Sequence, residues 1–259
     1  MAGFTGPYTA LGSTPTLANA PTALPATFLD VYFTSVAVNW AALPAAPSSA
    51  SAEGYVLDAS TAPDFSGTRF SSSTASVADS TLSISGLDLS TTWYFRVGSL
   101  NWAGVPDVTS LGPLNMELSV SSIVINLGSI NPGVALSTVS VSSVVVTNLG
   151  DLPATIAIWA STATPGSPWL LSISSGIEQP VLQALWNSAT PASAAFNAAV
   201  TASTTTSGGA GGAYAGNQTG FEVPAGASRT IWVQLWLPTS TVAAGIQQII
   251  RLFLVPIYP

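Results

Sequence analysis

The sequence predicts an all-β chain folded as two tandem antiparallel β-sandwiches, and three observations carry that reading. Short runs rich in Val, Ile, Thr and aromatic residues recur along the 259 residues, bounded by Gly, Pro, Ser and Asn clusters at spacings of about 8–12 residues. No stretch shows the apolar period of an amphipathic helix. At roughly 150 residues per domain the length suits two domains, which we set at residues 20–113 and 114–259, preceded by an N-terminal arm of residues 1–19.

In the first domain, strands are expected at 28–40, 54–60, 80–85, 91–101 and 106–118. The first run ends on alternating Val36, Val38 and Trp40, and Tyr55 opens YVLDAST. In GLDLSTTWYFRVGSLNWAG, Leu87 is followed by Thr91, Trp93, Phe95, Val97, Asn101 and Gly104. Together these positions resemble a fibronectin type III domain over residues 20–113. The resemblance implies that Trp40, Phe95 and Val97 fill the space between two sheets and that Leu87 plugs the end of the sandwich. Trp93 stands where the family has its corner tyrosine, so the usual hydroxyl-to-backbone bond is either replaced by an indole N–H donor or lost.

In the second domain, strands are expected at 120–126, 138–148, 153–161, 169–174, 181–186, 228–237 and 246–258. The segment NLGSINPGVALSTVSVSSVVVTNLG resembles the immunoglobulin-like sandwiches of bacterial surface proteins. A Gly/Ser/Thr/Ala-rich loop at 188–220 interrupts the strands. It is far longer than an ordinary connection and has little hydrophobic period, so order there is expected from packing against neighbouring copies. In TIWVQLWLP, Ile231, Val233, Leu235 and Leu237 share a core face, and Trp232, Gln234 and Trp236 share the other. The two indoles stand ~13 Å apart. The last run, Ile249 to Ile257, is apolar on both faces with Arg251 its one charge. It reads as a central strand covered on both sides.

Composition removes most chemistry. There is no Cys, His or Lys, so His- or Cys-based nucleophiles and metal sites, Schiff bases and phosphate-cradling lysine loops are excluded. Four arginines and a net charge of -7 do not suit nucleic acid. The acids Asp30, Glu53, Asp58, Asp64, Asp79, Asp88 and Asp107 lie mostly in turn contexts rather than at a spacing that demands a facing pair. No enzyme activity, cofactor or metal is expected. The first residues lack the basic region and apolar core of a secretory signal, and no apolar window is long enough to span a bilayer as a helix.

What remains is a structural protein. Charged residues make up 6% of the chain, while Ser and Thr supply 64 of the 259 residues, a surface suited to close repeated contact. The reading is a subunit of an extracellular homopolymer, either a filament, a pilus-like fibre or a surface layer. The arm resembles the last strand of a missing preceding domain, and it would be donated head-to-tail to the next copy. Candidate interface residues are Phe4, Tyr8, Leu11 and Leu17 of the arm, with Trp232, Trp236, Phe253 and Tyr258. The alternative is an adhesin or carbohydrate-binding module using Trp232, Trp236 or Trp102, and a third reading is a virion component. Asn217 heads the one Asn-x-Ser/Thr pattern, Asn217-Gln218-Thr219, and is the candidate glycosylation position. Deleting residues 1–19 is expected to leave folded monomers that no longer polymerise; polymers of normal appearance by negative-stain microscopy would refute strand donation.

Overall fold

The computed structural model describes residues 15–32, 34–121, 138–196, 198–242 and 247–258. Seven strands come first: β1 (Thr22–Tyr32), β2 (Ser35–Ala41), β3 (Gly54–Ser60), β4 (Arg69–Thr74), β5 (Thr81–Ser85), β6 (Thr92–Leu100) and β7 (Pro106–Asn115). They form a three-stranded sheet, β1-β2-β5, and a four-stranded sheet, β4-β3-β6-β7. Two sheets with Trp40, Phe95 and Val97 buried is what the fibronectin type III resemblance implied, and the first sandwich has that fold. Strand period explains it locally: along β2 buried and half-buried residues alternate, so Val36, Val38 and Trp40 point inward.

Eight more strands follow: β8 (Leu118–Val120), β9 (Thr138–Asn148), β10 (Thr155–Thr162), β11 (Val181–Trp186), β12 (Ala198–Val200), β13 (Thr205–Thr206), β14 (Ser228–Trp236) and β15 (Ile250–Ile257). A five-stranded sheet, β12-β11-β14-β9-β8, faces a three-stranded one, β13-β10-β15, across a core that includes Val146, Ile156, Ile158, Trp186, Val200, Tyr214 and Ile231. The expected all-β, two-sandwich architecture is the observed one.

The chain divides into two compact units, one of Met1–Phe28, Ala37–Ile84 and Tyr94–Gly112, the other of Leu29–Val36, Ser85–Trp93 and Pro113–Pro259. In the first, Trp40 is buried with its ring tilted against Tyr55 at 5.1 Å, and Tyr55 Oη donates to Val77 O while accepting from Leu43 N. Phe28 meets Phe95 edge-on at 5.2 Å. In the second, Leu87 is buried and its N–H donates to Thr34 O. Trp93 is buried too, and its Nε1–H donates to Asp88 O at 3.1 Å. The missing corner tyrosine is thus replaced by an indole donor rather than lost.

Several expectations are corrected. The run 28–40 is two strands, broken between Tyr32 and Ser35. The strand β4 (RFSSST), with Phe70 its one apolar residue, carries no apolar alternation and forms by pairing with β3 at the sheet edge. Residues 169–174 form no strand, and 121–126 lies largely outside the described residues. The last run is not central: β15 pairs with β10 alone among the described residues. Its outer face is partly covered from within the sheet, where Phe253 sits opposite Trp159 and the rings stack at 3.7 Å.

The Gly-rich stretch packs within the chain itself. It contributes β12 and β13 and inserts Val200 and Tyr214 into the core. Ser207 Oγ accepts the buried Trp186 Nε1–H at 3.0 Å, and Gly220 lies so close to that ring that a Cβ there would stand 2.6 Å from it. Ser207→Ala is expected to cost about 1–3 kcal/mol by stranding the indole N–H, and Gly220→Ala a similar amount by overpacking. Urea denaturation checks both, and midpoints equal to that of the parent would contradict the packing described.

Candidate interaction surfaces

In the first unit, the feature open to a partner is the turn between β6 and β7. Asn101 builds it: its Oδ1 accepts from Ala103 N and Val105 N at 3.0 and 2.9 Å, while its backbone N–H donates to Val105 O. Gly104 takes a φ of 72°, which a residue with a side chain rarely adopts. The result is a fixed loop that holds Trp102 82% exposed. Such a side chain on a pinned turn has the character of a contact residue. Residues before β1 lie on the same unit. Ser99 Oγ donates to Asn19 O, Asn101 Nδ2 to Thr16 O and Thr109 Oγ1 to Pro21 O.

In the second unit, the outer face of β11 and β14 carries a neutral ladder. Gln183 stands opposite Gln234 in register. Gln234 is fully buried, donates through Nε2 to Gln183 Oε1 at 2.6 Å and accepts Ser193 Oγ–H at 2.9 Å. Trp236 Nε1 donates to the same Gln183 Oε1 at 2.8 Å, and Trp232 Nε1 donates to Asn187 O at 2.8 Å. Asn187 and Ser193 both belong to the connection after β11, so that connection is bonded to the Trp232 and Gln234 end. At the Trp236 end a pocket of about 200 Å³ remains, lined by Ile173, Ser174, Ser175, Val181, Gln183 and Trp236.

An apolar rim lies on the same unit. Leu170, Ile173, Ile177 and Val242 are 68%, 79%, 73% and 85% exposed. Glu178 ties the two segments that carry them: its carboxylate accepts from Thr241 Oγ1 at 2.6 Å and from Val242 N at 2.5 Å. Trp169 Nε1 donates to Thr241 Oγ1, and Thr239 N to Gly176 O.

The expected site residues fall in different places. Phe4, Tyr8 and Leu11 lie outside the described residues, whereas Leu17 is exposed. Trp232 and Trp236 are half-buried within the chain, and Phe253 is half-buried on Trp159. Tyr258 is buried, its N–H donating to Val31 O. Asn217 is exposed, but its side-chain amide already bridges Ser188, accepting from the backbone N–H and donating to Oγ. Gln183, Gln234 and the rim residues were missed; the visible sign was a glutamine set between two outward tryptophans on one strand.

The carboxylates serve turns and strands. Asp58 accepts from Arg96 at 2.9 Å and from Ser71, and Arg96 lies 4.0 Å over the Phe65 ring. Ser66, through its hydroxyl and then its amide, holds the Asp64 carboxyl below its ordinary pKa. Among the described residues no group of three acids gathers as a metal site.

No protein-family model matches the chain, and no curated protein matches it. Among solved structures, a two-domain fibronectin type III segment from chicken tenascin aligns over 93% of this chain and 100% of its own, at 10% identity and a TM-score of 0.28. Chitinase ChiA74 from Bacillus thuringiensis aligns over 93% of this chain and 30% of its own, at 17% identity and a TM-score of 0.24. The strand order and core of the first sandwich, rather than these likenesses, define its fold as fibronectin type III-like.

Burial pushes the Tyr258 phenol up to about 12 from 10.0, against a smaller opposing effect from the Glu117 backbone, with the Asp151 and Glu117 carboxylates adding to the rise. The folded state therefore keeps this proton where the unfolded chain would lose it. Its contribution is complete below pH 10 and is lost as pH climbs from 10 to about 12. Absorbance titration should show Tyr258, like the buried Tyr214, ionising later than the exposed tyrosines, and Tyr258→Phe should flatten the alkaline loss of stability. An unchanged profile in the variant would contradict this burial.

Proposed function

We propose that the chain is a non-enzymatic structural subunit at a cell surface or in the extracellular space, one that associates with copies of itself. The observation that carries this is the apolar rim. Leu170, Ile173, Ile177 and Val242 stand exposed on segments that Glu178 and Trp169 hold in place, so the patch is a formed surface rather than a frayed loop. Isolated exposed apolar side chains are ordinary, but four of them on segments joined by hydrogen bonds offer the kind of surface that marks interaction sites. Eleven acids and four arginines in 259 residues leave little charge repulsion to oppose contact. Folds of the fibronectin type III kind are found in extracellular and surface proteins. Among the described residues no helix is long and apolar enough to cross a membrane.

Strand donation, in this reading, falls to the arm ahead of Thr16, because Thr16, Asn19 and Pro21 are bonded to the chain's own first unit. The adhesin reading is favoured by a separate observation, the pinned and exposed Trp102.

The double variant Ile177→Ser, Val242→Ser should fold normally, since both side chains are exposed. Sedimentation velocity over a range of concentrations should find the parent chain associating and the variant monomeric. A parent that stays monomeric throughout would refute self-association. A parent and variant that associate equally would refute the rim as its surface. A monomeric parent whose Trp102→Ala variant loses adhesion to cells would favour the adhesin reading.

A further inference from the structure

Gln183 is held in one orientation by its neighbours. Its Oε1 accepts both Gln234 Nε2–H at 2.6 Å and Trp236 Nε1–H at 2.8 Å, which engages both lone pairs of that oxygen. The oxygen end of the carboxamide is thereby fixed, and so is the nitrogen end. Among the described residues Nε2 of Gln183 has no partner, yet Gln183 lines the pocket of about 200 Å³ beside Trp236. Ser175 Oγ is committed to Leu237 O at 2.6 Å, whereas Ser174 Oγ has no partner among the described residues.

These groups define what fits. None of the six lining residues is charged, so a charged ligand would give up hydration without a counter-ion. A purely apolar ligand would strand the Gln183 N–H2 donors. The occupant must be neutral, must offer hydroxyl oxygens to a carboxamide and a serine, and must bring an apolar face to Trp236, Ile173 and Val181. A pyranose ring meets all three demands, with hydroxyls around its edge and C–H groups on its face.

We infer that the pocket at Trp236 is a binding subsite for one neutral sugar ring of a glycan, with Gln183 Nε2 and Ser174 Oγ holding its hydroxyls. This goes beyond self-association and fails separately from it, because it is read by sugar titration rather than by mass. The probes are cellopentaose, mannopentaose and N-acetylchitopentaose, with trigalacturonate as the charged control, followed by the NMR signals of the Gln183 side-chain N–H2 and the Trp236 indole N–H.

At least one neutral pentasaccharide should shift both signals with a dissociation constant of about 1 mM or tighter, and trigalacturonate should not. Gln183→Glu keeps the acceptor for Trp236 and Gln234 but removes the free donor. Ser174→Arg fills the mouth from an exposed position. Each should weaken binding about tenfold or more while the rest of the spectrum stays that of the parent. No shift with any of the three neutral sugars would overturn the assignment, as would binding that survives both substitutions. Shifts that follow protein concentration without sugar and persist in the Ile177→Ser, Val242→Ser variant would give the pocket to a second copy and overturn it equally.

Discussion

A tryptophan N–H taken out of water needs an acceptor, and in a chain with eight tryptophans and four cations that need organises the loops. Five indoles find one: Trp93 at Asp88 O, Trp169 at Thr241, Trp186 at Ser207, Trp232 at Asn187 O and Trp236 at Gln183. Four of these bonds reach a residue outside the named strands, so each fixes a connection against a sandwich. The bond from Trp186 ties in the Gly-rich stretch, and that from Trp169 helps hold the apolar rim. Trp40 is the exception, a buried N–H with no acceptor among the described residues, and its ring packing against Tyr55 has to offset that cost of about 1–3 kcal/mol.

Neutral hydrogen bonds therefore do here what ion pairs do elsewhere. Among the described residues the one ion pair is Asp58 with Arg96, and it braces a sheet face rather than a partner surface. The Gln183 and Gln234 ladder supplies directionality without charge, and its cost is contained because the Gln183 oxygen and both polar atoms of the buried Gln234 side chain are engaged. The consequence is a surface with little long-range electrostatic steering, on which short-range apolar contact and hydroxyl or amide hydrogen bonds decide what sticks. The rim and the Trp236 pocket are both surfaces of that type.

Much of the fold could be read from alternation. Val36, Val38 and Trp40 with Leu87, Trp93, Phe95 and Val97 marked the first sandwich because a two-residue period and a capped end leave their trace in sequence. In the second, 138–148 and 181–186 were placed residue for residue. What failed was whatever depends on cover. The polar strand β4 exists because β3 offers it a ladder, and Leu170 and Ile173 looked like strand core although they stand in solvent. The last run had the composition of a central strand but sits at an edge, since composition does not reveal how many neighbours a strand has. At the candidate surfaces the tryptophans were visible and their partners were not. Gln183 is a polar residue in mid-strand until Trp236 and Gln234 converge on it.

The most direct measurement is amide hydrogen exchange across 187–220 in the parent chain. If indole and glycine contacts bind that stretch to the sandwich, Gly208, Ala215 and Gly216, whose N–H groups donate to Ala213 O, Gly212 O and Gln218 O, should exchange far more slowly than free coil. Their protection should fall in Ser207→Ala while that of β3 and β6 is retained. Exchange of these amides at the rate of an unstructured peptide in the parent chain would contradict the claim that tryptophan hydrogen bonds organise the loops.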